Sequence, residues 1–141
     1  MLIGEFTHSI DEKGRVSLPS KFKTEMGSRV ILSRGMDKTI SVYTESSWKD
    51  LNEKMSQLSI TKEADRKFKR FMLSGEEFDL DKQGRIRVPD FLQDYAGIEK
   101  KLVWVGLGDK AEIWSEDKWN SYISETAENV EGIAEGLDVV I

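Results

Sequence analysis

Two Asp-x-x-x-Arg pairs are the residues of this sequence best suited to chemistry. Asp11 and Arg15 lie in DEKGRVSLP, and seventy positions later Asp81 and Arg85 lie in DKQGRIRVP. An arginine beside a turn projects a planar guanidinium with five donors, and a neighbouring carboxylate can orient it without engaging them all. Such an arginine matches the O6 and N7 acceptors of guanine in the major groove. The pairs therefore indicate DNA recognition, with a surface ion pair that only holds the turn as the alternative.

Residues next to these pairs extend the candidate site. Gly14 and Gly84 supply the positive φ that a tight turn needs, while the aspartate side chains accept backbone N–H groups within the turn. Four basic residues near the turns are candidates for phosphate contacts: Lys13, Lys21, Lys82 and Arg87.

Enzymatic and metal-binding functions find little support. The single histidine, His8, lies in a strand pattern and is expected to be a partly buried structural residue. No phosphate-binding loop, nucleophile elbow or zinc-protease motif occurs. The acidic cluster Glu76, Glu77, Asp79 and Asp81 is more typical of a solvated surface than of a cation site. We expect no enzyme, cofactor or metal, and the absence of cysteine suits a reducing cytosol.

The net charge of -5 conceals an uneven distribution. Residues 1–110 carry 20 Lys and Arg against 18 Asp and Glu, a net +2, whereas residues 111–141 carry 1 against 8, a net -7. A local positive surface on the body is compatible with DNA, because phosphates respond to local potential. No apolar run approaches the ~20 residues of a membrane-spanning helix. We therefore expect a cytoplasmic protein without a membrane partner.

The elements that position the pairs are also repeated. Alternating residues from Phe6 to Ile10, the turn DEKG, and Val16 with Leu18 predict a β-hairpin. Pro19 should end the strand, Ser20 should cap a short helix, and Gly27 should terminate it. Asp90 and Gly97 take the corresponding roles in the second copy.

The duplication continues through VILSRGMDKTISVYTESSW and KKLVWVGLGDKAEIWSEDKW, which predict two strands around a glycine turn and a helix near Trp48 or Trp119. Two such half-barrels should cover each other around a pseudo-twofold axis. Between them, apolar residues at helical spacing predict two amphipathic helices, and the basic residues of the second helix either face phosphate or are solvated.

The sequence closely resembles the MraZ family of bacterial transcription regulators in three stretches: DEKGRVSLP, DKQGRIRVP and WVGLGDKAEIWSEDKW. Each of the two units resembles an AbrB-type swapped-hairpin domain. The resemblance covers residues 1–120 and implies an α+β, mainly β fold in which two units form a double-split β-barrel. The expected division is a first unit at 1–47, a helical insert at 48–74, a second unit at 75–119 and an acidic C-terminal helix or tail at 120–141.

The resemblance also implies function. It indicates a ring-shaped homo-oligomer that binds double-stranded DNA at short direct repeats upstream of the division and cell-wall gene cluster, including its own gene, in the nucleoid. A head-to-tail ring is consistent with direct repeats spaced about 10 bp apart. Large apolar residues, more than so thin a fold is expected to bury, also favour assembly: Trp48, Phe68, Phe71, Trp104 and Trp119. The alternatives are an AbrB-like antitoxin and a ring-forming scaffold that does not bind DNA.

Overall fold

A computed structural model describes residues 1–139 and 141. The strands are β1 (Glu5–Ser9), β2 (Arg15–Ser17), β3 (Arg29–Arg34), β4 (Ile40–Tyr43), β5 (Gly75–Asp79), β6 (Arg85–Arg87), β7 (Lys101–Gly106) and β8 (Lys110–Ser115). The α-helices are α1 (Lys23–Met26), α2 (Glu45–Met55), α3 (Glu63–Met72), α4 (Asp90–Ala96) and α5 (Glu116–Glu135), with 3-10 turns at Ser20–Phe22 and Met36–Lys38.

Strand order reveals the internal symmetry of the fold. Six strands form an antiparallel sheet in the order β1-β7-β8-β4-β3-β5, and β2 pairs with β6 in a separate ribbon. Exchanging each strand for its counterpart four places along the chain reverses the sheet order and leaves the ribbon unchanged. A pseudo-twofold axis therefore passes between β4 and β8, and the predicted duplication is confirmed. The fold is mixed α and β and not mainly β, because five α-helices accompany the eight strands in the described part of the chain.

The predicted hairpins are wrong in their strand pairing. The turn after Asp11 forms, because the N–H of Asp11 donates to the carbonyl of Arg15 at 2.9 Å. Beyond it the strands diverge: β1 pairs with β7 of the second unit, and β2 pairs with β6. Residue alternation specifies which side chains face the core but not which strand is the neighbour. The described strands accordingly form two sheets and no closed barrel.

The core is shared by both units. Phe22, at the end of the 3-10 turn of the first unit, is fully buried. Its ring centroid lies 5.4 Å from that of Phe6 and 6.2 Å from that of Trp104. Val16 and Ile86 bury the inner face of the ribbon in the same cluster. Because Trp104 belongs to the second unit, the halves are held together by one continuous core.

The starts of the short helices differ from the prediction. Ser20 and Asp90 are the first residues of their helical segments, and Pro19 and Pro89 occupy the cap positions without a side-chain hydrogen bond. The fixed φ of proline suits the entry to a helix, so no polar cap is required. The predicted ends are confirmed: Gly27 and Gly97 follow the helices with φ of 67° and 65°.

The remaining helices follow the predicted pattern. Helices α2 and α3 confirm the two amphipathic helices between the units, and much of the acidic C-terminal segment is the helix α5. Val140, at the end of that segment, lies outside the described residues. None of the helices in residues 1–139 combines the length and apolar composition needed to cross a bilayer.

Candidate nucleic-acid interface

The β2–β6 ribbon presents a basic outer face. Side chains alternate across a strand, so the burial of Val16 and Ile86 turns their neighbours outward. The outward residues form two cross-strand pairs, Arg15 opposite Arg87 and Ser17 opposite Arg85. Three guanidinium groups thus share one small surface.

The first turn holds Arg15 in a defined orientation. Asp11 Oδ1 accepts the backbone N–H groups of Lys13 and Arg15 at 2.9 and 2.8 Å, and Asp11 Oδ2 accepts Arg15 Nε–H at 2.7 Å. The aspartate therefore engages one edge of the guanidinium. Within the described residues the two Nη groups have no hydrogen-bond acceptor, so they remain available for a planar, bidentate ligand.

The second turn repeats this geometry with one difference. Asp81 accepts the backbone N–H groups of Gln83 and Arg85 at 2.9 Å each and accepts Arg85 Nε–H at 2.8 Å. Gln83, which stands where the first turn has Lys13, also accepts a hydrogen bond from Arg85 Nη2 at 3.2 Å. One terminal donor of Arg85 is therefore already engaged, which leaves it less available than Arg15.

Hydrogen bonding keeps both aspartates ionised. The backbone N–H of Arg15 is the largest cause that lowers the pKa of Asp11, and the backbone N–H of Arg85 does the same for Asp81. Each orienting group is therefore a carboxylate under ordinary conditions.

Arg87 has different surroundings from Arg15 and Arg85, which are each paired with an aspartate. It is exposed, lies directly opposite Arg15, and forms no ion pair within residues 1–139 and 141. Like charges opposed across a ribbon repel each other. A bound anion would relieve this repulsion, which makes the pair a candidate contact for phosphate or an acceptor-rich base edge.

The other predicted residues surround the ribbon. Lys13 and Lys82 are exposed in the two turns, whereas Lys21 is exposed on the 3-10 turn and belongs to neither the ribbon nor its turns. Gly14 and Gly84 have φ of 78° and 74°, the left-handed conformation that the turns were expected to need.

Three residues of this surface were missed from the sequence. Ser17 is an outward position of the ribbon, which strand alternation from Arg15 would have indicated. Lys23 and Gln93 are related by the seventy-residue repeat, and each side chain lies against the opposite unit's turn glycine: Lys23 against Gly84 and Gln93 against Gly14. These contacts between the two units could not be predicted from the sequence, because they follow from the pairing of β2 with β6.

The acidic cluster has an ordinary structural explanation. Arg29 forms ion pairs with Asp79 at 3.0 Å and Glu77 at 3.5 Å across β3 and β5, and Asp81 serves the second turn. Among the described residues, no group of three His, Asp or Glu side chains is placed to hold a metal. His8 is half-buried, and burial lowers its pKa.

Comparisons with known proteins identify both halves. A family model described as "MraZ protein, putative antitoxin-like" matches residues 1–71 and again residues 72–139. A relative named "Transcriptional regulator MraZ" from Natranaerobius thermophilus is 47% identical over 138 residues, 97% of this chain and 96% of the relative. Relatives of the same name from Caldanaerobacter subterraneus subsp. tengcongensis and Limosilactobacillus reuteri are 43% and 44% identical, over 98% and 99% of this chain and 97% and 99% of theirs.

Proposed function

Because this chain belongs to the MraZ family, we propose that it is a transcriptional regulator that binds double-stranded DNA in a sequence-specific manner through the β2–β6 ribbon. One observation carries the proposal: Arg15 and Arg85 are each held at Nε by an aspartate while projecting from the same outer face. A two-stranded ribbon is narrow enough to enter the major groove, and an oriented arginine suits guanine.

The surrounding basic residues have a separate role in this proposal. Arg87, Lys13, Lys82 and Lys21 contact phosphates and fix the register of the ribbon, while Arg15 and Arg85 contact base edges. Gly14 and Gly84 hold the turns that support Asp11 and Asp81. No cofactor takes part.

The proposal includes the assembly and target that the family resemblance implies. The chain would comprise two AbrB-like units of the double-split barrel type at 1–47 and 75–119, a helical insert at 48–74 and a C-terminal helix or tail at 120–141. Several copies of the chain would associate as a ring-shaped homo-oligomer. Its subunits would bind short direct repeats upstream of the division and cell-wall genes and of its own gene, in the cytoplasm at the nucleoid. Head-to-tail association matches direct repeats, because successive subunits present the same face in the same sense.

The test is a matched set of arginine variants titrated with DNA from upstream of the gene, at one fixed salt concentration because phosphate binding depends steeply on salt. Arg15→Ala should weaken specific binding by about 1–3 kcal/mol per engaged subunit, roughly 5- to 150-fold. Arg15→Lys should recover little, since it lacks the bidentate fork. Arg29→Ala is the control, because Arg29 forms exposed ion pairs away from the ribbon.

If Arg15→Ala and Arg85→Ala both bound the DNA with wild-type affinity, the ribbon would not be the surface that contacts the bases. A smaller effect for Arg85 would agree with its engagement by Gln83. Failure of the wild type to bind any DNA, with its assembly intact, would favour a ring-forming scaffold.

The description of the family model supports one second candidate, an antitoxin. An antitoxin of the AbrB type pairs one DNA-binding unit with a disordered toxin-binding tail, whereas this chain has two units and a helical C-terminal segment. Growth rescue from a co-expressed partner toxin would favour this candidate.

A further inference from the structure

Two pairs of equivalent positions near the β2–β6 ribbon differ in charge between the units. On the ribbon, the second unit has Arg87 where the first unit has Ser17. On the helices that follow the ribbon strands, the second unit has Gln93 where the first unit has Lys23. Each pair therefore contains one cation and one neutral residue. Where the fold places the two cations bears directly on which phosphates the ribbon can contact.

At the end of the ribbon formed by the first turn, the cation belongs to the ribbon itself. Arg87 lies directly opposite Arg15, whereas Gln93 lies against Gly14 with its amide already engaged. Gln93 Nε2 donates to the carbonyl of Val88 at 2.8 Å. Gln93 therefore links α4 to the ribbon and adds no charge at this end.

At the end formed by the second turn, the ribbon has the neutral residue and the cation comes from the other unit. Ser17 lies opposite Arg85. Lys23 lies against Gly84, because a Cβ at that glycine would be 2.8 Å from Lys23 Cε and 2.9 Å from Lys23 Nζ. Among the residues that the structure describes, this ammonium has no ion-pair partner. The charge beside the second turn is thus free to bind an external anion.

The core holds Lys23 in this place. Phe22, the residue before it, is fully buried against Phe6 and Trp104, so the start of α1 is anchored. The Lys23 side chain itself is exposed. Lys21, on the same segment, is also exposed but does not approach either turn glycine as closely. Lys23 is therefore the lysine of this segment that extends the basic surface of the ribbon.

We propose that Lys23 binds a DNA phosphate at the second turn, beside the base contacted by Arg85. It supplies from the first unit the charge that Arg87 supplies at the first turn, so each end of the ribbon has one added cation. This inference rests on the DNA binding in the proposed function and assigns a contact outside the ribbon and its turns. A lysine suits the role, because its ammonium is a point charge on a flexible stem and can bind a phosphate without a fixed orientation.

The test compares Lys23→Gln with the wild-type, full-length protein in titrations with DNA from upstream of the gene at several salt concentrations. Glutamine is the residue that the second unit has at this position, and Lys23 is exposed, so the melting temperature should match the wild type. A lysine that neutralises one phosphate adds about 0.9 to the slope of log affinity against log salt concentration. Between about 50 and 200 mM salt, the wild type should therefore lose about 3.5-fold more affinity than Lys23→Gln for each engaged subunit.

Lys49→Gln is the matched control. It removes an exposed lysine from α2, which contributes nothing to the ribbon or its turns. The slope and the affinity of this variant should equal those of the wild type.

A second measurement distinguishes a phosphate contact from a structural role. Single phosphates of the DNA are replaced, one at a time, by uncharged methylphosphonate. At one or more positions the replacement should weaken binding of the wild type by several-fold and leave binding of Lys23→Gln unchanged, because the variant no longer has the cation that uses that charge. A lysine that acted only through the fold would show no such position.

The outcomes separate this inference from the proposed function. If Arg15→Ala loses affinity while Lys23→Gln keeps the wild-type slope, the inference is overturned and binding through the ribbon stands. If the slope changes but every methylphosphonate affects Lys23→Gln as it affects the wild type, Lys23 contacts no phosphate and the inference is again overturned alone. A wild type that binds no DNA overturns both.

Discussion

Alanine at the two turn glycines should have unequal effects, although both residues have nearly the same φ. The strain common to both sites comes from φ of 78° at Gly14 and 74° at Gly84, which costs about 1–2 kcal/mol for a residue with a Cβ. The surroundings differ. A Cβ at Gly84 would meet Cε and Nζ of Lys23 at 2.8 and 2.9 Å, the mobile end of a long side chain.

At Gly14 the new methyl group meets a less yielding neighbour. It would lie 2.9 Å from Gln93 Nε2 and 3.2 Å from the backbone oxygen of Val88. Gln93 Nε2 donates to that same oxygen at 2.8 Å, so moving the amide aside sacrifices a hydrogen bond worth about 0.5–1.5 kcal/mol. Gly14→Ala should therefore destabilise by about 1.5–3.5 kcal/mol and Gly84→Ala by about 1–2 kcal/mol.

The assay is urea unfolding of both variants at one protein concentration, together with DNA titration. The carbonyl of Gly14 accepts the N–H of Val88 at 2.7 Å, and the carbonyl of Gly84 accepts the N–H of Leu18 at 3.0 Å, so strain at either turn is transmitted to the opposite strand of the ribbon. Because the strain is larger at Gly14, Gly14→Ala should also weaken DNA binding more. In a Gln93→Ala background, where this hydrogen bond is already absent, adding Gly14→Ala should cost about as much as Gly84→Ala does in the wild type. Equal destabilisation by the two single variants would refute the reasoning from local contacts.

Two further predictions concern pH and the core. Because backbone N–H groups hold the pKa of Asp11 and Asp81 below the ordinary 3.8, the carboxylates stabilise the folded chain above that pH, and this contribution is lost as the pH falls through the lowered values. The stability difference between the wild type and Asp11→Ala, measured by urea unfolding, should therefore shrink below pH 3.8; a constant difference would contradict the carboxylate's role. Phe22→Ala should cost about 3–5 kcal/mol in the same assay, and a cost under about 1 kcal/mol would show that the shared core is poorly packed there.

The local geometry of the site was accessible from the sequence because it is made by residues a few positions apart. The interval from Asp11 to Arg15, with Gly14 between them, contains every group of the turn, and the second copy repeats it. The glycine helix ends and the amphipathic helices α2 and α3 were predictable for the same reason. Their hydrogen bonds are local, so composition and spacing are sufficient to indicate them.

The pairing of strands was not accessible in this way. Val16 and Ile86 both read as inward residues of a strand, yet alternation does not reveal that they face each other in one ribbon. The contacts of Lys23 and Gln93 depend on that pairing and were missed with it. The exposure of Phe68 was equally hidden, since an amphipathic pattern reports an apolar side and not whether the same chain covers it.

The exchange of strands between the halves bears on the origin of the chain. With β1 bound to β7 and β5 bound to β3, each unit lends an edge strand to the other, as two identical chains do in a swapped dimer. A gene duplication that joined such chains would make their encounter intramolecular. The duplication would also allow equivalent positions of the two halves to diverge, whereas a substitution in a homodimer changes both halves at once. Here Ser17 and Arg87 differ at equivalent positions, so one end of the ribbon carries two arginines and the other carries an arginine and a serine. The two ends of the ribbon surface consequently differ, and under the proposed function the surface would have a direction along DNA, which the ribbon of a symmetric dimer lacks.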